Sequence, residues 1–163
     1  MPRTKGVVRD DVFNLYSGEL DDSRDREGWR VTGATVGEHI GGELIGAGLY
    51  EVEPGSKLWP YHTHHANEEW LLVVRGRPAL RTPEGDRQLD EGDVVCFPRG
   101  QAGAHQVWNG TDSSIRVLML STKIAPEIVE YLDTGKVGAS NVAGERIMFG
   151  RPGPELDYWE GEE

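Results

Sequence analysis

From Gly46 to Thr122 the chain is broken at short intervals by turn signals, and that punctuation restricts what it can fold into. Pro54-Gly55, Glu84-Gly85, Glu91-Gly92 and Asn109-Gly110 stand between brief apolar runs such as "EWLLVVRG" and "VVCF". No part of this stretch sustains a helical period of about 3.6 residues. Short runs rich in β-branched and aromatic residues, closed by Gly, Pro or Asn, read as strands joined by tight turns. About six to eight such strands in succession predict an all-β sandwich or barrel.

The flanks carry weaker patterns. Residues 1–40 are polar; "SGELDDSRDREG" reads as a solvated loop and "WRVTGATV" as a strand. After Lys123, "APEIVEYLD" suits two forms. One is a short helix starting near Pro126, with Ile124, Ile128 and Leu132 on one stripe; the other is an extended segment. The acidic tail "GRPGPELDYWEGEE" holds Tyr158 and Trp159, which suit either a disordered end or a tail docked by its aromatics. The expected organisation is an N-terminal arm (1–40), a β-barrel (41–123) and a C-terminal extension (124–163) packed on the barrel or partly disordered.

Composition narrows the function. A chain of 163 residues has room for one domain with a sizeable core. Its formal net charge of −11 repels phosphate backbones, so nucleic acid is not an expected partner. There is no apolar run near ~18 residues and no basic patch, so no membrane partner is expected either. The start "MPRTKGVVRDDVF" lacks the apolar region of a signal peptide, and one cysteine, Cys96, excludes an internal disulfide. Together these predict a cytoplasmic protein. Cys96, within "VVCF", reads as a small buried hydrophobe. There is no Gly-x-Ser-x-Gly elbow and no Cys-x-x-Cys, and Gly46–Gly48 is too short for a dinucleotide loop.

One stretch stands apart. "HTHHANEEW", His62 to Trp70, holds three of the five histidines. On a strand, side chains alternate faces, so His62 and His64 point the same way and Thr63 and His65 the other. Two histidines on one face form a chelating pair. A carboxylate follows at Glu68 or Glu69, and His105 begins a later strand.

These residues resemble the cupin superfamily, small barrels of jelly-roll type. The first cupin motif, a glycine, His-x-His, a glutamate and a closing glycine, matches "GSKLWPYHTHHANEEWLLVVRG", Gly55 to Gly76. The second, with glycine, proline, glycine, histidine and asparagine, matches "GDVVCFPRGQAGAHQVWN", Gly92 to Asn109. The spacer before His62 is one residue longer than the commonest form, and that before His105 two longer. The tail "DYWEGEE" also resembles stand-alone bacterial cupins of the type 2 conserved-barrel class. The resemblance implies a jelly-roll barrel with extended N- and C-terminal arms. It also implies that His62, His64, Glu69 and His105 bind a divalent metal, with Glu69 preferred over Glu68 by its spacing to Gly76. Homodimers are implied as well, since barrels of this type commonly pair.

Three neutral imidazoles and one carboxylate suit Fe(II), Mn(II), Ni(II) or Zn(II). If the strand parities hold, Leu71, Val73, Phe97, Val107, Val117 and Met119 face the interior and are candidate lining for a small-molecule pocket. The chemistry stays open between a metal-containing binding module and a metal-dependent enzyme, such as a dioxygenase or an isomerase. Tyr50, Tyr61 and Arg75 are the candidate acids or bases.

Overall fold

A computed structural model describes residues 11–162; the first ten residues of the expected N-terminal arm lie outside that range. Thirteen strands follow in order: β1 (Asp22–Arg24), β2 (Val31–Ala34), β3 (Ile45–Val52), β4 (His62–His64), β5 (Glu69–Arg75), β6 (Ala79–Thr82), β7 (Gly85–Gln88), β8 (Val94–Phe97), β9 (Gln106–Trp108), β10 (Ile115–Thr122), β11 (Glu127–Tyr131), β12 (Lys136–Ser140) and β13 (Arg146–Gly150). One α-helical turn, α1 (Val36–His39), and one 3-10 turn, Gln101–Gly103, interrupt them. The fold is all-β, with antiparallel strands in three sheets ordered β1-β2-β3-β10-β5-β8, β13-β12-β11-β4 and β7-β6-β9.

The centre of the large sheet explains the unbroken apolar run of β10. Ile115, Val117 and Met119 point inward, to a core shared with Val52, Leu58, Leu71, Val73, Leu80 and Val107. Leu118 points outward yet is also buried, packed with Val36, Leu49 and Val74 beneath Phe13, Leu15 and Leu20. A strand covered on both faces has no reason to alternate apolar and polar residues. The outward Arg116 is buried too. It pairs with Glu51 at 2.7 Å and donates to the carbonyls of Leu15 and Tyr16 at 3.1 and 2.6 Å, pinning the N-terminal segment to the sheet.

Both flanks contribute strands. The loop reading of "SGELDDSRDREG" is corrected in part, because Asp22–Arg24 pairs with β2. "APEIVEYLD" is extended rather than helical: Glu127–Tyr131 forms β11, which pairs with β4 through Val129↔His64, Glu130↔Thr63 and Tyr131↔His62. Cys96 is exposed, not buried; it lies on β8, an edge strand of the large sheet. Gly76 closes β5 with φ of +85°, and a Cβ there would stand 3.0 Å from Ile115, so the motif glycine answers both a backbone and a packing demand.

Candidate metal centre

β4 carries His62 and His64 on one face, and β5 opens with Glu69 on the facing wall. His105 reaches the same point because its backbone bridges that of His62: the two exchange N–H···O bonds of 3.2 and 2.9 Å. The result is convergence on one atom. The Nε2 atoms of His105, His64 and His62 lie 3.2, 3.3 and 3.8 Å from Glu69 Oε2. The ligand atoms of His62, Glu69 and His105 all lie within 4.8 Å of one another, and His64 joins them through Glu69.

The other ring nitrogens are already engaged. His62 Nδ1 donates to the Pro60 carbonyl at 2.7 Å, His105 Nδ1 to the Gly103 carbonyl at 2.9 Å, and His64 Nδ1 to Glu127 at 3.3 Å. A carbonyl can only accept, so these bonds place the proton on Nδ1 of His62 and His105 and turn their Nε2 lone pairs inward. The loop before His105 is built for this contact. The residues that lengthen the second motif form a single 3-10 turn, Gln101–Gly103. A Cβ on Gly103 would fall 1.7 Å from the Pro98 carbonyl oxygen, so no larger residue fits there.

Electrostatics sharpen the arrangement. Burial pushes the Glu69 carboxyl up, but the facing His105, His62 and His64 imidazoles more than offset it and hold it far below the usual carboxylate range. Burial lowers His105, with Glu69 opposing in part. His64 is raised: its burial is outweighed by Glu69 and Glu127 on either side. His105 Nε2 is buried and has no hydrogen-bond partner. With a lone pair there and an ionised carboxylate at 3.2 Å, two acceptors face each other. A cation placed between them satisfies both. Donor atoms about 2.0–2.2 Å from a shared ion lie about 3–3.5 Å apart, close to the 3.2 and 3.3 Å found. The residues therefore fit a divalent metal.

The other sequence candidates fall elsewhere. His65 points away and pairs with Glu130 on the surface. Glu68 is exposed and accepts from Trp70 Nε1 at 2.9 Å. Beside the histidines lies a cavity of about 300 Å³ lined by Tyr50, Trp59, Pro60, His62, His64, Glu69, Val129 and Tyr131. An adjoining depression reaches Met119. Of the expected lining, Leu71, Val73, Val107 and Val117 face inward and are packed into the core, and Phe97 stacks on the His105 ring at 3.7 Å. Inward parity gives the face of a strand, not its depth in the barrel. Of the candidate acids and bases, Tyr50 lines the cavity. Tyr61 is buried beneath Arg81, and Arg75 pairs with Glu51 outside the barrel.

The sequence reading missed Tyr131, Val129 and Glu127, all on β11. Glu127 binds His64, accepts from the backbone N–H groups of His65, Ala66 and Ile128, and is bonded by Asn67. It thus ties the loop after His64 to the C-terminal sheet. No local signal marks it, since its role depends on a partner strand far upstream.

The convergence of the His62/His64 pair, His105 and a carboxylate inside an antiparallel barrel agrees with the family comparison, in which residues 48–121 match the cupin domain. The chain carries a cupin domain. Among solved structures, this cupin is similar to a sugar phosphate isomerase of the cupin superfamily from Silicibacter pomeroyi. That protein is 25% identical with a TM-score of 0.75, over 90% of this chain and 97% of the other. It is also similar to a proposed sugar phosphate isomerase from Acidithiobacillus ferrooxidans, 28% identical, TM-score 0.68, over 73% and 75% of the two chains. A cupin-like protein from Thermotoga maritima shares the fold at 20% identity and TM-score 0.57, over 68% and 85%. No curated protein matches the chain. Among the described residues no helix is long and apolar enough to cross a membrane.

Proposed function

We propose that His62, His64, Glu69 and His105 hold one divalent metal ion, and that the adjoining cavity binds a small oxygen-bearing organic molecule. The observation that carries this reading is the buried, unpartnered Nε2 of His105 facing the ionised Glu69. A divalent ion held there supplies Lewis-acid polarisation of a ligand oxygen. The chain's own residues do the rest. Trp59 and Tyr131 supply aromatic walls to the cavity, and the Tyr131 ring lies over that of His62 with centroids 6.2 Å apart. Burial and the charge of Glu69 keep the Tyr50 phenol protonated, so it donates a hydrogen bond to a ligand oxygen.

A second reading is turnover, as an isomerase acting on a phosphorylated sugar. The names of the two more similar structures favour it over dioxygenation, and Tyr50 is the group in the cavity wall suited to holding or moving a proton. A cytoplasmic setting belongs to the same reading. So does pairing of two copies, for which the exposed Ile45, Trp70 and Val94 on the outside of the large sheet offer an apolar contact. Sedimentation velocity should give a dimer, and a monomer at micromolar concentration rules the pairing out.

Chelator treatment tests the main reading. The stripped protein should keep its strand circular dichroism, because the core does not depend on the donor cluster, but should lose its affinity for small oxygen chelators. Global unfolding on stripping points to a purely structural ion instead. Equal chelator binding with and without metal removes the proposed site.

A further inference from the structure

We propose that the open face of the C-terminal sheet binds the anionic end of an elongated ligand, a phosphate monoester, through Lys136 and Arg146. This deepens the reading above, on which it rests: the ligand's oxygen-bearing end lies at the donor cluster and its phosphate about two or three strands away.

The register lays out the surface. Directly opposed residues in an antiparallel pair project to the same side. His62 opposes Tyr131, which opposes Lys136. His64 opposes Val129, which opposes Gly138, which opposes Phe149. Glu127 opposes Ser140, which opposes Arg146. The face that carries the two histidines therefore continues directly to Lys136 and, across a β-bulge between Ala139 and Ser140, to Arg146. Strands lie about 4.8 Å apart, so Lys136 stands about 10 Å and Arg146 about 14 Å from the histidine strand.

The side chains agree with the register. Tyr131 stacks on His62 and meets Phe149 edge-on at 5.7 Å. Lys136 Nζ lies 5.5 Å from both the Tyr131 and the Phe149 ring, and the Arg146 guanidinium 5.2 Å from Phe149. Gly138 leaves the floor bare, and the resulting groove holds about 260 Å³ between Val129, Tyr131, Ser140 and Arg146. Val129 and Tyr131 also line the cavity at the histidines, so the two spaces share a wall.

The cations are free for a ligand. Among the described residues neither Lys136 nor Arg146 is ion-paired. The carboxylate in the groove, Glu127, is taken by His64, three backbone N–H groups and Asn67. Glu145, next to Arg146, is bonded by Asn141 at 3.0 Å. In a chain of net charge −11, two unpaired cations converge on one half-exposed phenyl ring. A cation resting on a ring keeps its N–H groups available for oxygen acceptors. A phosphate monoester carries about −1.5 to −2 charges at neutral pH, which two such cations match.

Calorimetric titration with ribose 5-phosphate and with ribose separates this groove from the donor cluster. The phosphorylated probe should bind at least about tenfold more tightly, the scale of one or two charge-assisted hydrogen bonds. That preference should vanish in the Lys136→Ser/Arg146→Ser variant, whose metal content and melting temperature should match the wild type. It should survive in chelator-stripped wild-type protein, because the groove does not need the metal. Equal or undetectable binding of the two probes, or a preference that persists in the double variant, overturns the groove. Metal content is read separately, so loss of the groove leaves the donor-cluster reading standing, and the reverse.

Discussion

Two buried charged clusters sit on opposite sides of the large sheet, and they differ in one respect. On the outer face, Arg116 is saturated: it bonds Glu51 twice, at 3.1 and 2.7 Å, and the carbonyls of Leu15 and Tyr16. Glu51 in turn accepts from Arg75 and Ser114. On the inner face, Glu69 meets three imidazoles, yet His105 Nε2 has no partner. Unpaired buried polar atoms cost about 1–3 kcal/mol each, so chains rarely keep one without a use. The saturated cluster holds the fold together; the unsaturated one is shaped for something that is added to it.

That contrast predicts opposite phenotypes. The largest effect should come from the outer cluster. Arg116→Ala leaves Glu51 and two carbonyls without a partner and should cost about 3 kcal/mol, the lower end for a broken buried pair because Glu51 is partly exposed. Thermal denaturation should show the melting temperature falling by about 6–12 °C, while metal bound per folded chain stays at the wild-type level. A pH series sharpens the assignment. Burial raises Glu51, but Arg116, Ser114 and Arg75 outweigh it and lower its pKa below the ordinary 4.5. Its contribution is therefore present above that value and lost as pH falls through the folded-state value. The stability gap between wild type and Glu51→Gln should be full at pH 7 and shrink below about pH 4.5.

Glu127→Gln probes the boundary between the two kinds of cluster. Glu127 supports the fold through the backbone of His65 and Ala66, and it supports the site by orienting His64. The amide keeps an acceptor for the backbone but weakens the grip on the His64 proton. Metal affinity should drop by about 10- to 100-fold, with a stability change of about 1 kcal/mol or less. An unchanged affinity in a competition titration reduces Glu127 to a loop anchor.

How much of this was legible in the sequence follows from the range of the forces involved. Strand parity is local, so "HTHHANEEW" alone separates His62 and His64 from His65, and the motif spacing prefers Glu69 to Glu68. Turn residues are local too, and they give the all-β class. Depth is not local. Leu71 and Met119 share an inward parity and the same core, but only Met119 also reaches the depression beside the cavity, which depends on how the sheets close. The C-terminal strands were the least readable. "EIVEY" has mostly half-buried side chains that do not alternate cleanly; its hairpin with β12 is local, but its placement beside the histidines comes from pairing with a segment more than sixty residues upstream. Tyr131, Glu127 and the groove beyond them were hidden for that reason.

If the inner cluster holds a metal and its neighbours do not, elemental analysis of untagged protein by mass spectrometry will separate them, on wild type, His105→Ala, His65→Ala and Glu68→Gln purified side by side. Wild type should carry about one divalent metal per chain, as should His65→Ala and Glu68→Gln, whose side chains lie outside the cluster. His105→Ala should lose most of it while remaining folded. Full occupancy in His105→Ala, or none in the wild type after growth with iron, manganese, nickel and zinc, contradicts the account.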